Sequence, residues 1–315
     1  MSKENNTITN STSFALAAKV KDYFQLIKFT LSFMVVFSTV VSFLIAPTGL
    51  YYRSRILSVL LLFVGGMLVT GSANAINQVA EKDTDAKMKR TAKRPVASGR
   101  MSVNEATLFA VITGALGVFI LWYWFNYQAA LTGLFSLFLY GFIYTPLKKI
   151  NSIAVLVGAI PGAIPCLIGW VAATGNFSAG GWILFGIQFF WQFPHFWAIA
   201  WIAHTDYTAV GFKLLPGDKG PTKFTALQTV IYSALMIPVG LLPHLVPLFE
   251  FDYTMPMSGV VSMWILLMCN LWMVAVSIQL FIKMDVKSAR MVMFSSYFYL
   301  MIVLLALFAD RTIPG

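Results

Sequence analysis

The sequence is poor in charge. Only 11% of its 315 residues are Asp, Glu, Lys or Arg, against about 25% in an ordinary soluble domain, which excludes a soluble globular protein. With 2 cysteines, both inside apolar runs, a disulfide framework is excluded and buried packing thiols are expected. The first 28 residues lack the charged start and short apolar run of a cleaved signal, and the Arg-rich, acid-poor character of a mitochondrial transit peptide. A bacterial cell membrane is the expected location.

What fills the chain instead is apolar sequence, 58% of it. Seven stretches carry no charged side chain, the shortest 19 and the longest 56 residues; about 20 helical residues cross a bilayer core, so the two longest can each cross twice. They break at Asn126-Tyr127-Gln128 and between Thr174 and Gly181, where polar residues and glycine mark turns. The reading is an all-α, polytopic membrane protein with nine spans near 29–46, 56–76, 106–124, 129–146, 152–172, 182–203, 224–242, 258–281 and 291–309, forming one domain over residues 29–315 behind a cytoplasmic tail of residues 1–28.

A net charge of +10 suggests nucleic acid until the bases are placed. With nine spans, all of the 22 Lys and Arg except Arg53, Arg55 and Arg311 fall on one side. That asymmetry is the positive-inside rule. It puts the N-terminus in the cytoplasm and the C-terminus outside, makes the lipid bilayer the partner, and leaves no role for nucleic acid.

Polar chemistry gathers in two places. In the segment after the second span, Asn77, Glu81 and Asp85 step by four residues and occupy an arc of about 80° on one helix face. Three oxygen donors then converge. Mg²⁺ takes oxygen ligands, usually with one or two carboxylates plus water and substrate phosphate. Lys87, Lys89, Arg90, Lys93 and Arg94 follow at once, so acids for a metal are followed by cations for the metal's anionic ligand, with Asp85 and Arg90 as the candidate catalytic pair. Lys148 and Lys149 lie on the same side. A solvated basic loop is the bland alternative for the Lys/Arg run, but acids close to a span end are costly unless they face a cavity or partner. Together these residues predict a diphosphate site at the cytoplasmic mouth of the bundle.

The second constellation lies on the sixth span, where Gln188, Gln192, His195 and Asp206 follow one helix face and predict a polar stripe lining an acceptor cavity. His204, near the interface and about 180° round from His195, is read as structural.

These residues resemble the UbiA superfamily of intramembrane prenyltransferases. Asn77-x3-Glu81-x3-Asp85 is similar to the superfamily's first acidic motif, Asn-x3-Asp-x3-Asp. The chain looks most like the haem-modifying branch in Glu81-Lys82-Asp83-Thr84-Asp85, Met88-Lys89-Arg90-Thr91, Arg94-Pro95, Trp191-Gln192-x-Pro194-His195-Phe196, Asp206-Tyr207 and Leu215-Pro216. It departs from the pattern in having Glu81 for the first Asp and Lys82 for Arg, and in having no legible second Asp-x3-Asp motif, only Asp206 with Ile202 four residues before it. The resemblance implies transfer of a farnesyl group from farnesyl diphosphate to a vinyl group of protohaem IX, giving haem O and diphosphate, with Mg²⁺ as cofactor. It also implies a haem A synthase or terminal oxidase assembly downstream. On this reading Asn77, Glu81 and Asp85 hold the metal, Arg90, Arg94, Lys148 and Lys149 the diphosphate, and Gln192, His195 and Asp206 the haem. Competing readings are a prenyltransferase for a quinone-precursor aromatic ring, which would carry two full acidic motifs, and a cation-coupled transporter, which would place its acids nearer the midplane.

Overall fold

The structure, a computed structural model, describes residues 16–47, 54–217, 220–245 and 257–312. Nine long helices run through them: α1 (Phe29–Ile45), α2 (Arg55–Ala80), α3 (Val103–Phe125), α4 (Tyr127–Leu147), α5 (Ala154–Thr174), α6 (Ala179–Ile202), α7 (Lys223–Leu245), α8 (Val260–Lys283) and α9 (Val286–Ala309). Seven of these are long and apolar enough to cross a membrane, and α1 joins them as an eighth if it is counted with the helix Leu16–Leu26, from which it bends by 52°. Length and composition thus support seven or eight spans among the described residues, against the nine expected. The exception is α6, whose 24 residues include Gln188, Gln192, Pro194, His195 and several Trp, all of which lower its hydropathy.

The turn chemistry places the helix ends. Asn126 Oδ1 accepts from Ala129 N–H at 2.8 Å and starts α4, Gly175 ends α5 in the left-handed conformation at φ 73°, and Ser102 and Asp285 side chains cap α3 and α9. These satisfy amides that an apolar medium leaves without water.

Helix α5 is the central element. Of its most apolar window 72% is buried, against 28–39% for the other spans, and it packs on α1, α4 and α6, while α6 packs on α7 and α9. Close approach at the centre depends on small residues. A Cβ at Gly169 would collide with the Thr39 carbonyl of α1, so only glycine lets the two backbones meet there. Outward-facing Leu108, Val111, Phe119 and Trp122 are exposed, as a lipid-facing surface requires.

The fold begins before residue 29, inside the stretch expected to be a tail. Helix Leu16–Leu26 is clamped on the loop after α2 and on the start of α3: Asp22 pairs with Arg100 at 2.9 Å, Lys19 with Glu105 at 2.7 Å, and Leu26 is buried beside Ala75, Val96 and Met101. Residues 1–15 and Arg53 lie outside the described residues.

Candidate active site

Helix α2 ends where the acidic motif begins. Glu81 leaves helical geometry (φ −101°, ψ 12°) and a short helix, Lys82–Lys87, follows. The break does not destroy the four-residue spacing, because Glu81 N–H still donates to Asn77 O at 3.0 Å and Asp85 N–H to Glu81 O at 2.7 Å. All three side chains are buried at the end of the bundle.

Each of them meets a cation from a different segment. Lys148 Nζ lies 2.8 Å from Glu81 Oε1 and Arg94 Nη1 lies 2.6 Å from Asp85 Oδ2. Lys28 Nζ donates to Asn77 Oδ1 at 3.0 Å, and Asn77 Nδ2 donates to Thr145 Oγ1 at 3.2 Å. Acids and cations thereby neutralise one another, which reduces the cost of burying each.

Two backbone features aim these groups. A π-helical turn, Leu139–Tyr144, precedes Thr145; such turns often occur at functional sites. It sets Tyr144 beneath Lys148, with Nζ 4.4 Å from the ring centroid. Lys28 adopts φ 47°, ψ 58°, left-handed geometry that costs a non-glycine residue of order 1 kcal/mol. The turn is held by α2, since Asn74 Nδ2 donates to Ile27 O at 3.1 Å and Gln78 Nε2 to Leu26 O at 2.9 Å. The stem of Lys28 is partly exposed while its ammonium reaches inward. Desolvation, then the neighbouring Arg94 and Lys148, push it down to about 7.

Arg90 reaches the other half of the bundle. Its Nη2 donates to Tyr207 Oη at 3.1 Å, tying the loop after α2 to the short helix His204–Ala209. Lys149 does not join the cluster: it is exposed at the rim, one residue past the turn that aims Lys148 inward.

The stripe on α6 divides among its neighbours. Gln192 Nε2 donates to Ala159 O and Gln188 Nε2 to Gly162 O, both 2.9 Å and both on α5. His195 turns to α9, with Nδ1 2.8 Å from Ser296 Oγ. Ser296 donates its one hydroxyl hydrogen to Met293 O at 2.6 Å, so His195 Nδ1–H is the donor. Its ring stacks on Trp191 at 4.9 Å. Asp206 is not on this helix: α6 ends at Ile202 and Asp206 sits on the next short helix, so it does not continue the face that carries His195. These three side chains do not form one cavity wall.

The sequence reading missed Lys28, Thr145 and Tyr207. Lys28 has a signal, a lone cation at the boundary of an apolar run; Asn74 and Gln78, which hold its turn, share the α2 face of Asn77.

Among the described residues no group of three His, Cys, Asp or Glu stands arranged to hold a metal. The donor chemistry nonetheless fits a hard cation. Asn77, Glu81 and Asp85 offer only oxygen, and Asp85 Oδ1 is buried without a hydrogen-bond partner, an unsatisfied acceptor that costs free energy unless a ligand meets it.

A bundle of apolar helices with acids and cations buried together at one end is the architecture of a membrane-embedded enzyme acting on an anionic leaving group. The chain belongs to the UbiA prenyltransferase family, whose model matches residues 35–308, and it is a prenyltransferase. It is 40% identical to a protoheme IX farnesyltransferase of Cytophaga hutchinsonii over 296 residues, covering 94% of this chain and 99% of that protein. It is also 40% identical to the protein of that name from Flavobacterium psychrophilum, covering 92% and 94%. In fold it is similar to a digeranylgeranylglyceryl phosphate synthase (TM-score 0.75, 20% identity, 93% of this chain and 98% of that one). A second similar structure is a UbiA homologue from Archaeoglobus fulgidus bound to GPP and Mg²⁺ (TM-score 0.60, 15% identity, 91% and 99%).

Proposed function

We propose that this chain transfers the farnesyl group of farnesyl diphosphate to a vinyl group of protohaem IX, giving haem O and diphosphate. The observation that carries the reading is that Asn77, Glu81 and Asp85 each meet a cation, Lys28, Lys148 and Arg94 in turn. A site built this way offers oxygens to a metal and, once they are taken, three cations to a diphosphate. The haem acceptor is supported by relatives of that name aligned over nearly their whole length.

The C1–O bond of farnesyl diphosphate breaks with its electron pair passing to diphosphate. The terminal vinyl carbon bonds to C1, and water adds to the adjacent carbon with loss of a proton. Arg94 and Lys148, which neutralise the two carboxylates in the free protein, and Lys28, which donates to the Asn77 amide oxygen, turn to the leaving diphosphate. Charge aimed at a developing anion in a low-dielectric site is commonly the largest catalytic effect. Asn77, Glu81 and Asp85 would hold Mg²⁺, which supplies further neutralisation of the diphosphate when bound. One turn of α2 from Asn77 lies an apolar cleft lined by Ala73, Asn74, Leu137, Tyr140 and Gly162, surroundings that would shield an isoprenoid chain from water. Purified protein in nanodiscs, given labelled farnesyl diphosphate, Mg²⁺ and protohaem IX, is expected to yield a farnesylated haem resolved by chromatography. Label appearing only on a phenolic quinone precursor would refute the acceptor.

The membrane is the bacterial cell membrane, with the N-terminus and this site facing the cytoplasm and the C-terminus outside, and the product passes to a haem A synthase or terminal oxidase assembly. Single cysteines replacing the exposed residues Lys93, Lys213 and Asn176 are expected to label from the cytoplasmic side for the first two and from outside for the third. Labelling of Lys93 and Lys213 positions from opposite sides would overturn the orientation.

A further inference from the structure

Between the turn joining α4 to α5 and the segment following α6 lies a cavity of about 500 Å³ that none of the acidic-motif residues lines. Small-molecule sites typically run from about 300 to 1,000 Å³. Its polar side chains include Asn151, Ser152, His204, Thr208 and Lys213, and among the described residues its lining holds no acid. Lys213 and His204 make no ion pair among the described residues. Asn151 Oδ1 is taken by Ile153 N–H at 3.1 Å, which leaves its amide hydrogens to offer a ligand. Lys213, His204 and the Asn151 amide are the groups that favour an anion; the Ser152 and Thr208 hydroxyls donate to Asn151 Oδ1 and His204 O.

Three glycines that line the cavity adopt backbone geometry only glycine takes easily. Gly211, Gly217 and Gly220 line it with φ of 77°, 91° and 77°. At Gly220 a Cβ would strike His204 Nε2, so this glycine leaves the imidazole its place.

The cavity shares a wall with the diphosphate site. Tyr207 and Phe212 form that wall. On its far side Tyr207 Oη accepts from Arg90, and Phe212 lies 5.8 Å from Lys148 Nζ. Lys213 N–H donates to Lys148 O at 2.8 Å, while the ammonium of Lys148 binds Glu81. One lysine therefore spans from the cavity to the acidic motif.

We infer that this cavity takes the carboxylate-bearing edge of the acceptor, with Lys213 and His204 as its anchors. The inference rests on the haem reading above. Protohaem carries its two propionates on one edge and its vinyl groups towards the other. Holding the first edge at the aqueous rim directs the second over Tyr207 and Phe212 towards farnesyl C1, and such orientation is itself a source of rate. The sequence reading of His204 as structural gives way to this one because the ring lines an open cavity.

The test is an absorbance titration of the purified full-length protein, without farnesyl diphosphate, using haemin and haemin dimethyl ester. The parent is expected to bind the diacid roughly tenfold more tightly than the diester. In Lys213→Met/His204→Gln the two affinities are expected to converge to within about twofold, while Lys213→Arg keeps the preference and all variants keep the parent's affinity for farnesyl diphosphate. A parent without the preference, or a double variant that retains it, overturns the site. Because the titration reads binding alone, a preserved preference with no farnesyl transfer to haem supports this anion site and counts against the functional reading instead.

Discussion

Asp85→Asn is expected to lower farnesyl transfer by about a hundredfold or more while the protein still inserts and folds. The substitution keeps an oxygen at the position but removes the charge that faces Arg94 at 2.6 Å and the buried Oδ1 that has no other partner. Losing one preorganised electrostatic contact to a developing anion typically costs about 10²–10³ in rate. Stability suffers less, because Arg94 is partly exposed and water can solvate it when its counter-charge is gone. Initial rates over a Mg²⁺ series, with melting followed by intrinsic fluorescence, separate the two effects. Turnover within a few-fold of the parent at limiting Mg²⁺ would show that Asp85 is only a structural partner of Arg94.

A different outcome is expected one turn away. Lys148→Met leaves Glu81 without a counter-charge where both side chains are less than a tenth exposed. Breaking a buried pair from one side costs about 3–5 kcal/mol, because the remaining charge is desolvated and uncompensated. The double variant Lys148→Met/Glu81→Gln removes both charges and is expected to recover most of that stability, yet to remain inactive for want of a metal ligand and a diphosphate cation. Equal melting temperatures for parent and Lys148→Met would show that the pair is not desolvated, and activity in the double variant would remove both residues from the mechanism.

The contrast between Asp85 and Glu81 follows from how their partners arrive. Arg94 comes from the same loop, nine residues on. Lys148 comes from the far end of α4, delivered by a π-helical turn and Thr145. The sequence spacing shows that Asn77, Glu81 and Asp85 share a face, and the hydrogen bonds Glu81 to Asn77 and Asp85 to Glu81 preserve that relation through the helix break. It carries no information on which cation meets which acid. Lys148 and Lys149 are equivalent by composition, and only the turn at residues 145–147 buries one and exposes the other.

The α6 stripe is where periodicity misleads. A 3.6-residue period locates one face of a helix, but near the centre of a bundle one face meets two neighbours. Gln188 and Gln192 sit towards α5 and His195 towards α9. An apolar medium forces each buried polar group to find the nearest partner, and for these three that partner is another helix.

The apolar runs, their breaks at Asn126 and Gly175 and the four-residue oxygen series were legible in the sequence, because they depend on local spacing and on the thickness and dielectric of a bilayer. The inward turn of Lys28, the assignment of Lys148 and Arg94 to separate acids, the bond from Arg90 to Tyr207 and the cavity beside Lys213 were decided only by tertiary structure. Apart from Arg94 on Asp85, which share one segment, each joins residues from different helices or loops, and the approach of one helix to another is set by side-chain packing over the whole bundle, as at Gly169 against Thr39.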